Sequence, residues 1–237
     1  WQGLINGDFV VLNDDVVRHT VGRGGTVLYT ARSPEFMTEA GRQKALATCK
    51  MLGLDGVIAV GGDGTFRGAL ELSRLGVPVM GIPATIDNDI GCTNYTIGFD
   101  SACNTAIDCI DKLRDTMQSH ERCSVVEVMG RHAGYIAMWC GIANGAEDVL
   151  LPERYDYDEQ VLINHLIEGQ KLGRHNHIIV NAEGIGHSAS MAKRIEAATG
   201  VETRATILGH MQRGGSPTCK DRVYASTMGA LAVDLLC

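Results

Sequence analysis

The sequence lacks several patterns that would place it in common protein classes. Its 237 residues contain no apolar run of about 18, the length a membrane-spanning helix needs, and no signal peptide is visible. Its 8 cysteines form no CxxC pair and no finger-like spacing with histidine, so a zinc finger is not predicted. The net charge of -7 argues against general nucleic-acid binding.

Two nucleotide-binding motifs are also missing. There is no GxxxxGK[ST] loop, and no GxGxxG follows a first strand, so neither a Walker-type NTPase nor a dehydrogenase is favoured. With 45% hydrophobic and 21% charged residues, the composition is that of a soluble globular protein with an ample core. The cysteines lie mostly in apolar or helical contexts, which predicts reduced thiols and a cytoplasmic protein.

The first informative feature that is present is a glycine turn after an apolar run. Val57–Val60 predicts a buried strand, Gly61-Gly62-Asp63-Gly64-Thr65 a tight turn, and Phe66 the start of a helix. Glycines let the backbone approach a ligand, and bare N–H groups at a helix start attract phosphate. A carboxylate at Asp63 would repel phosphate unless a cation lies between them, which favours Mg²⁺ and a nucleotide. An ordinary strand-to-helix turn is the alternative interpretation.

A second acidic segment follows the next apolar run, Val77–Ile82. Thr85, Asp87 and Asp89 stand at alternate positions, so an extended chain would point all three to one side and Asn88 to the other. Two carboxylates and a hydroxyl on one side suit a general base and a metal anchor. Helix caps or a solvated loop would use the same residue types.

Strand and helix patterns alternate along the chain, which predicts an α/β fold with mostly parallel sheets flanked by helices. Ligands of such sheets bind beyond the carboxyl ends of the strands, where both acidic segments lie. The predicted strands are Phe9–Leu12, Val57–Val60, Val79–Ile82, Ser124–Val128 and His177–Val180. The predicted helices are Glu39–Met51, Phe66–Leu75, Ser101–Ser119, Gly134–Ala143, Tyr157–Leu172, Ser190–Thr199 and Lys220–Leu236.

These segments resemble the bacterial type of ATP-dependent 6-phosphofructokinase. The other matching motifs, in family order, are Arg23–Arg32, Met129-Gly130-Arg131, Ala182-Glu183-Gly184, Glu202-Thr203-Arg204 and Leu208–Pro217 (LGHMQRGGSP). The resemblance implies two similar Rossmann-like domains: an ATP-binding domain of residues 1–98 plus 212–237, and a fructose 6-phosphate-binding domain of residues 99–211. The N-terminal strand and glycine loop of the family, and its C-terminal end, are expected to lie outside this chain.

The resemblance also implies a reaction, the Mg²⁺-dependent transfer of the ATP γ-phosphoryl group to the 1-hydroxyl of fructose 6-phosphate in glycolysis. Asp87 matches the catalytic base and Thr85 a hydroxyl close to the transferred group. Asp63 and Asp89 match the acids assigned to the metal, and Arg131 matches the arginine that stabilises the moving charge. Taken alone, Asp87 is as compatible with a loop cap, and Arg131 with a surface ion pair.

Further binding residues come from the same resemblance. In the family, Arg122 and Arg204 reach the active site of a neighbouring subunit in a homotetramer. The residues matched to ATP binding are Arg32, Ser33, Gly62, Asp63, Gly64, Thr65 and Gly68. The residues matched to sugar-phosphate binding are Thr85, Asp87, Arg122, Met129, Gly130, Arg131, Glu183, Arg204, His210 and Arg213.

The phosphoryl donor is predicted from two positions. Pyrophosphate-dependent relatives tend to carry aspartate where Gly64 stands and lysine where Ala84 stands, so this chain favours ATP. A pyrophosphate-dependent enzyme stays open as an alternative, as does an inactive regulatory or sugar-phosphate-binding chain. Lipid and NAD kinases also contain GGDG turns, but they do not account for the LGHMQRGG string.

An effector site is the last expectation. In the family it takes ADP as an activator and phosphoenolpyruvate as an inhibitor, and Arg114, Glu147 and Arg174 match its residues. Asp14 and Leu172 stand where some relatives carry basic residues, which would weaken anion binding there.

Overall fold

The structure, a computed structural model, describes residues 1–154, 157–174 and 176–237, without the side chain of Gln118. The described chain divides into two units. The first unit comprises residues 1–85, 89–98 and 216–237, and the second comprises residues 86–88 and 99–215.

The first unit is built on two parallel strands, β1 (Val57–Gly61) and β2 (Val79–Pro83), which pair from Val57↔Val79 to Gly61↔Pro83. Thr38 caps the first turn of α3 (Glu39–Leu52) by accepting a hydrogen bond from the Gly41 N–H at 3.0 Å. The helices of this unit are α1 (Gln2–Asn6), α2 (Asp14–Val17), α3 (Glu39–Leu52), α4 (Asp63–Arg74) and α9 (Cys219–Leu236), with a 3₁₀ turn at Glu35–Met37. Its core consists of Phe36, Ala45, Cys49, Leu72 and Val77, packed against Trp1, Leu4, Ile5, Leu46, Val57 and Val79.

The second unit contains a four-stranded parallel sheet in the order β4-β5-β3-β6. Its central strands are buried along most of their length, as expected when helices cover both faces. The strands are β3 (Cys123–Val128), β4 (Asp148–Leu150), β5 (His177–Ala182) and β6 (Thr203–Ile207). The helices are α5 (Phe99–Gln118), α6 (Tyr135–Asn144), α7 (Glu159–Lys171) and α8 (Ser188–Thr199), with a 3₁₀ segment at Gly209–Arg213.

The predicted fold class is confirmed, and each of the seven predicted helices is present with ends shifted by at most about three residues. The largest shift is in α4, which begins at Asp63 rather than Phe66, so the acid itself opens the helix. Within the described ranges no helix is long and apolar enough to cross a membrane. No disulfide joins the eight cysteines, which all lie within the described ranges, and Cys92, Cys219 and Cys237 are exposed.

The predicted strand Phe9–Leu12 is wrong. These four residues have no regular structure, and their side chains are 51–74% exposed. An apolar run becomes a strand only where a neighbouring strand offers its backbone groups, and in the described part of this unit β1 and β2 pair with each other. Two strands were missed, β4 with three residues and β6 with the sequence TRATI.

Candidate active site

The turn between β1 and α4 keeps its backbone open to the surroundings. Gly62 is the N-cap of α4 and supplies no side chain to the N–H groups of the first turn. A Cβ added at Gly61 would lie 2.3 Å from Thr65 Oγ1, so a side chain there would have to displace Thr65. A Cβ added at Gly64 would meet nothing within 4 Å. The turn therefore presents unsatisfied donors beside open space, as a phosphate site requires.

The carboxylate of Asp63 lies at the exposed start of α4. Its ion pair with Arg67 is 3.0 Å long between solvent-exposed side chains, which makes it easily displaced. Asp89 is also exposed in the first unit. Carboxylate oxygens suit Mg²⁺, which takes one or two protein carboxylates and completes its shell with water and phosphate oxygens. Among the described residues no cluster of three or more metal-binding side chains is found.

Thr85 lies against the glycine turn. A Cβ added at Gly62 would come within 3.4 Å of the Thr85 Cβ, and the Thr85 carbonyl accepts a hydrogen bond from Thr96 Oγ1 at 2.6 Å. Just before it, the Ala84 N–H donates to the Gly61 carbonyl at 3.0 Å. The glycine turn and Thr85, the first residue of the acidic segment, therefore meet at the carboxyl ends of β1 and β2.

The chain is not extended through Asp89, so the condition for aligning Thr85, Asp87 and Asp89 is not met. Residues 86 and 87 form a turn, and Asn88 has a left-handed backbone with φ 53°. Alternation of side chains holds only in a strand, so Thr85, Asp87 and Asp89 are not aligned by a common pleat. Asparagine is among the residues that tolerate this conformation, because its short polar side chain can bond locally.

Two of the residues matched to ATP binding, Ser33 and Gly68, have local structural roles. Ser33 Oγ donates to Gln2 Oε1 at 2.8 Å, and it accepts a hydrogen bond from the Phe36 N–H at 3.4 Å. A Cβ at Gly68 would lie 2.4 Å from the Trp1 indole nitrogen, so this glycine admits the Trp1 ring against α4. Arg32 is exposed in an irregular segment.

In the second unit, β3 ends in a sharply bent turn at Met129-Gly130-Arg131. Gly130 has φ 138° and Arg131 has φ 57°, both in the region that favours glycine. A Cβ at Gly130 would lie 2.4 Å from the Ala133 carbonyl oxygen, and the Ala133 N–H donates to the Gly130 carbonyl at 2.8 Å. A non-glycine residue at such a backbone is strained, and strain of this kind is concentrated at functional sites.

Glu183 and Gly184, which follow β5, hold this turn in place. Glu183 Oε1 accepts a hydrogen bond from the Arg131 N–H at 2.5 Å, and its own N–H donates to the Val128 carbonyl at 2.9 Å. A Cβ at Gly184 would lie 2.7 Å from the Arg131 carbonyl oxygen. Thus Met129, Gly130, Arg131 and Glu183, predicted from separate motifs, lie together.

Arg122 and Arg204 share one carboxylate. Glu202 accepts from Arg122 Nε at 2.7 Å and from Arg204 Nε at 2.8 Å. Hydrogen bonds first from Arg122 and then from Arg204 hold the pKa of Glu202 below its ordinary value. Arg122 directly precedes β3 and Arg204 lies in the neighbouring strand β6, so the two predicted phosphate-binding arginines are brought together by a residue whose role the sequence reasoning missed.

His210 and Arg213 are both exposed on the 3₁₀ segment that follows β6, whereas Gln212 between them is buried. Gln212 Oε1 accepts a hydrogen bond from the Met129 N–H at 2.7 Å. Sequence reasoning treated this glutamine only as part of the LGHMQRGG string. A polar residue between two predicted ligands was the available signal, but its partner is 83 positions away.

Two of the three predicted effector residues line one pocket of about 240 Å³ in the second unit. Glu147, Arg174, His165 and His177 are among its lining residues. Arg114 lies outside that lining, where its guanidinium donates to the Asn144 carbonyl. The structure therefore brings Glu147 and Arg174 together without Arg114.

Comparison with known proteins identifies the class. A family model described as phosphofructokinase matches residues 1–236, and the chain belongs to that family. Relatives of this chain are named 6-phosphofructokinases, which are phosphotransferases. The prediction of an enzyme of this type is confirmed.

Several similar relatives are named ATP-dependent 6-phosphofructokinase. The enzyme of Bacillus pumilus is 54% identical and that of Bacillus subtilis 53% identical over 236 residues, which are 100% of this chain and 74% of each relative. The phosphofructokinase structure from Saccharomyces cerevisiae superimposes with a TM-score of 0.89 at 32% identity, covering 99% of this chain and 36% of the yeast chain. A pyrophosphate-dependent phosphofructokinase from Marinobacter aquaeolei has a TM-score of 0.80 at 20% identity, which shows the common fold alone.

Proposed function

We propose that this chain phosphorylates fructose 6-phosphate on its 1-hydroxyl with Mg²⁺ and ATP, forming fructose 1,6-bisphosphate in glycolysis. The observation that carries the proposal is the turn at Met129–Arg131. Arg131 has a strained backbone, and Glu183 holds it through a hydrogen bond from the Arg131 N–H. Backbone strain of this kind lowers stability and is concentrated at functional sites. An arginine fixed in this way can stabilise charge on a phosphoryl group in transfer.

ATP is the proposed donor because of the space at Gly64. An aspartate there would place a carboxylate beside the phosphates, whereas the glycine leaves the position open. Ala84 carries no charge, so it offers no lysine to neutralise a small, dense donor such as pyrophosphate. The names of the relatives at 51–54% identity support the same choice.

The acids divide by role. Asp87 is the proposed base for the 1-hydroxyl, and its carboxylate would give late and partial help, as a loose phosphoryl transition state needs. Asp63 and Asp89 would hold Mg²⁺, which supplies charge neutralisation to the phosphates when bound. Thr85 lies against Gly62, and its hydroxyl would lie close to the transferred phosphoryl group.

The sugar phosphate is proposed to bind to residues 99–211, and ATP to residues 1–98 plus 212–237. Arg122, Arg204, His210 and Arg213 would bind the 6-phosphate, since arginine offers paired donors for phosphate oxygens. By analogy with the family, Arg122 and Arg204 serve a neighbouring subunit of a homotetramer. Glu202 holds both guanidinium groups until phosphate competes for them.

Effector control is proposed for the pocket with Glu147 and Arg174. Arg174 supplies one positive charge for ADP or phosphoenolpyruvate, but Glu147 and Glu168 in the same lining are acidic. Anion binding there is expected to be weak unless other groups contribute. If phosphoenolpyruvate leaves the fructose 6-phosphate saturation curve unchanged, effector control by this ligand is wrong.

A cytoplasmic location stays a prediction.

The test is an aldolase-coupled assay on this chain with fructose 6-phosphate and either MgATP or pyrophosphate. We expect turnover with MgATP alone. Asp87→Ser should lower turnover by about 10²–10⁴, the range of general-base catalysis, with smaller changes in substrate binding. Activity with pyrophosphate would overturn the choice of donor. Wild-type-like turnover in Asp87→Ser would show that the base is assigned wrongly.

A further inference from the structure

Gln212 is a buried amide inside an exposed segment. Its side chain is 2% exposed, while Met211 on one side is 62% exposed and Arg213 on the other is exposed as well. Glutamine is rarely this deeply buried unless its polar atoms are needed. In the described chain its Nε2 has no hydrogen-bond partner, so the bond from the Met129 N–H to Oε1 is the contact that fixes the amide.

The bond lies where the β3–β6 ladder stops. The last paired residues are Glu127 and Ile207, and the Leu208 N–H donates to the Glu127 carbonyl at 3.0 Å. Alternate backbone groups of a strand face the same neighbour, so the Met129 N–H faces the β6 side beyond the last pair. Gln212 Oε1 takes the place of a backbone acceptor for this buried N–H group.

The opposite side of β3 has its own support. The Glu183 N–H donates to the Val128 carbonyl, and Glu183 Oε1 accepts from the Arg131 N–H. The strand end before the Gly130 bend is therefore held by Glu183 on the β5 side and by Gln212 on the β6 side. Loss of either support releases a turn whose backbone is already strained.

We propose that Gln212 is a positioning residue that sets the Met129–Arg131 turn and ties it to the segment carrying His210 and Arg213. This inference rests on the proposed function, in which that turn presents Arg131 to the transferred phosphoryl group. A displacement of about 1 Å at such a group can lower turnover about 10²-fold. Because Gln212 touches the turn and not the reacting atoms, its effect is indirect.

Two substitutions separate positioning from general stability. Gln212→Met keeps the length of the side chain but removes the acceptor, whereas Gln212→Glu keeps an acceptor oxygen. Gln212→Asn shortens the side chain by one methylene, which moves its oxygen away from the Met129 N–H. This variant replaces Gln212→Met as the test of the lost hydrogen bond if the methionine variant does not fold. Thr203→Val is the matched control, because Thr203 is buried at the far end of β6 and its hydroxyl donates to the Val201 carbonyl.

The experiment measures turnover, the two KM values and amide hydrogen exchange at Met129 in the whole chain. For Gln212→Met we expect kcat to fall about 10–100-fold, KM for fructose 6-phosphate to rise and KM for ATP to stay within about twofold. Exchange at Met129 should rise at least about tenfold, since the N–H loses its acceptor. Gln212→Glu should recover most of both losses, and Thr203→Val should show neither.

Wild-type kcat and unchanged Met129 exchange in Gln212→Met would overturn the inference. So would equal losses in Gln212→Met, Gln212→Glu and Thr203→Val, because they would reflect stability alone. The exchange measurement does not require activity. If the wild-type chain is inactive with every donor, the proposed function fails, and Met129 exchange still decides whether Gln212 holds the turn.

Discussion

Two glycine-containing turns follow parallel strands in this protein, and they use glycine for different reasons. In the turn after β1, a Cβ at Gly64 would meet nothing within 4 Å. In the turn after β3, a Cβ at Gly130 would lie 2.4 Å from the Ala133 carbonyl oxygen, at a φ of 138°. At Gly64 in the first turn there is room for a side chain, whereas at Gly130 in the second turn the backbone of Ala133 occupies that space.

The difference shows which part of each turn interacts with a ligand. An open turn at a helix start offers backbone N–H groups to phosphate, so its side chains need only stay small. A closed turn fixes a backbone so that one side chain, here Arg131, is presented in a set position. Substitutions should therefore affect binding in the first turn, and stability and turnover in the second.

The largest effect should come from Arg131, which combines charge and strain. Arg131→Ala and Arg131→Gly should both lower kcat by about 10³-fold or more, as expected for an arginine that stabilises a phosphoryl group. Glycine also relieves the left-handed backbone at φ 57°, which costs a non-glycine residue about 1–2 kcal/mol. In chemical unfolding, Arg131→Gly should therefore be at least as stable as Arg131→Ala. A clearly less stable glycine variant would show that the turn is not strained.

Gly130→Ala tests the closed turn directly. The added methyl group cannot be accommodated without moving the Ala133 carbonyl, and the φ of 138° is unfavourable for alanine. We expect a loss of about 2–4 kcal/mol in the free energy of unfolding, measured with urea. Gly64→Ala is the matched control and should unfold like the wild type. Equal stability of both variants would remove the contrast between the two turns.

Gly64→Asp sharpens the comparison on the binding side. The new carboxylate has room in the protein, so stability should change little, but it would stand beside the donor phosphates. We expect KM for ATP to rise at least about tenfold, which corresponds to about 1.4 kcal/mol, while KM for fructose 6-phosphate stays unchanged. Steady-state kinetics with each substrate varied would show this, and an unchanged KM for ATP would place the phosphates elsewhere.

Much of the fold could be predicted from the sequence because apolar runs and helical spacing are local signals. β1, β2, β3 and β5 are mostly apolar runs, and all four were found. The strand β6 was missed because TRATI contains no apolar run, since Thr203, Arg204 and Thr206 are polar, and its pairing with β3 is what makes it a strand. Phe9–Leu12 shows the reverse error, an apolar run that has no partner strand in the described unit.

The candidate site was predicted as a set of residues but not as an arrangement. The family resemblance named Arg131, Glu183, Arg122 and Arg204, yet no spacing in the sequence shows that Glu183 bonds the Arg131 N–H. Nor does it show that Glu202 joins two arginines that are 82 positions apart along the chain. Such contacts between distant residues arise from strand order, which the sequence does not encode locally.

The smallest expected effect is on the pH dependence of stability, and it compares Cys123 of the second unit with Cys92 of the first. Burial raises the pKa of Cys123 in β3 to about 12, whereas Cys92 in the first unit is exposed. An unfolded cysteine loses its proton near pH 8.5, so Cys123 contributes stability that is fully present below that pH. The contribution falls as the pH rises from about 8.5 towards the folded value, because the unfolded state is deprotonated first. Urea unfolding at pH 8 and pH 10 should show lower stability at pH 10, with a smaller drop in Cys123→Ala and an unchanged drop in Cys92→Ala. If Cys123→Ala loses as much stability between the two pH values as the wild type, another group carries the dependence.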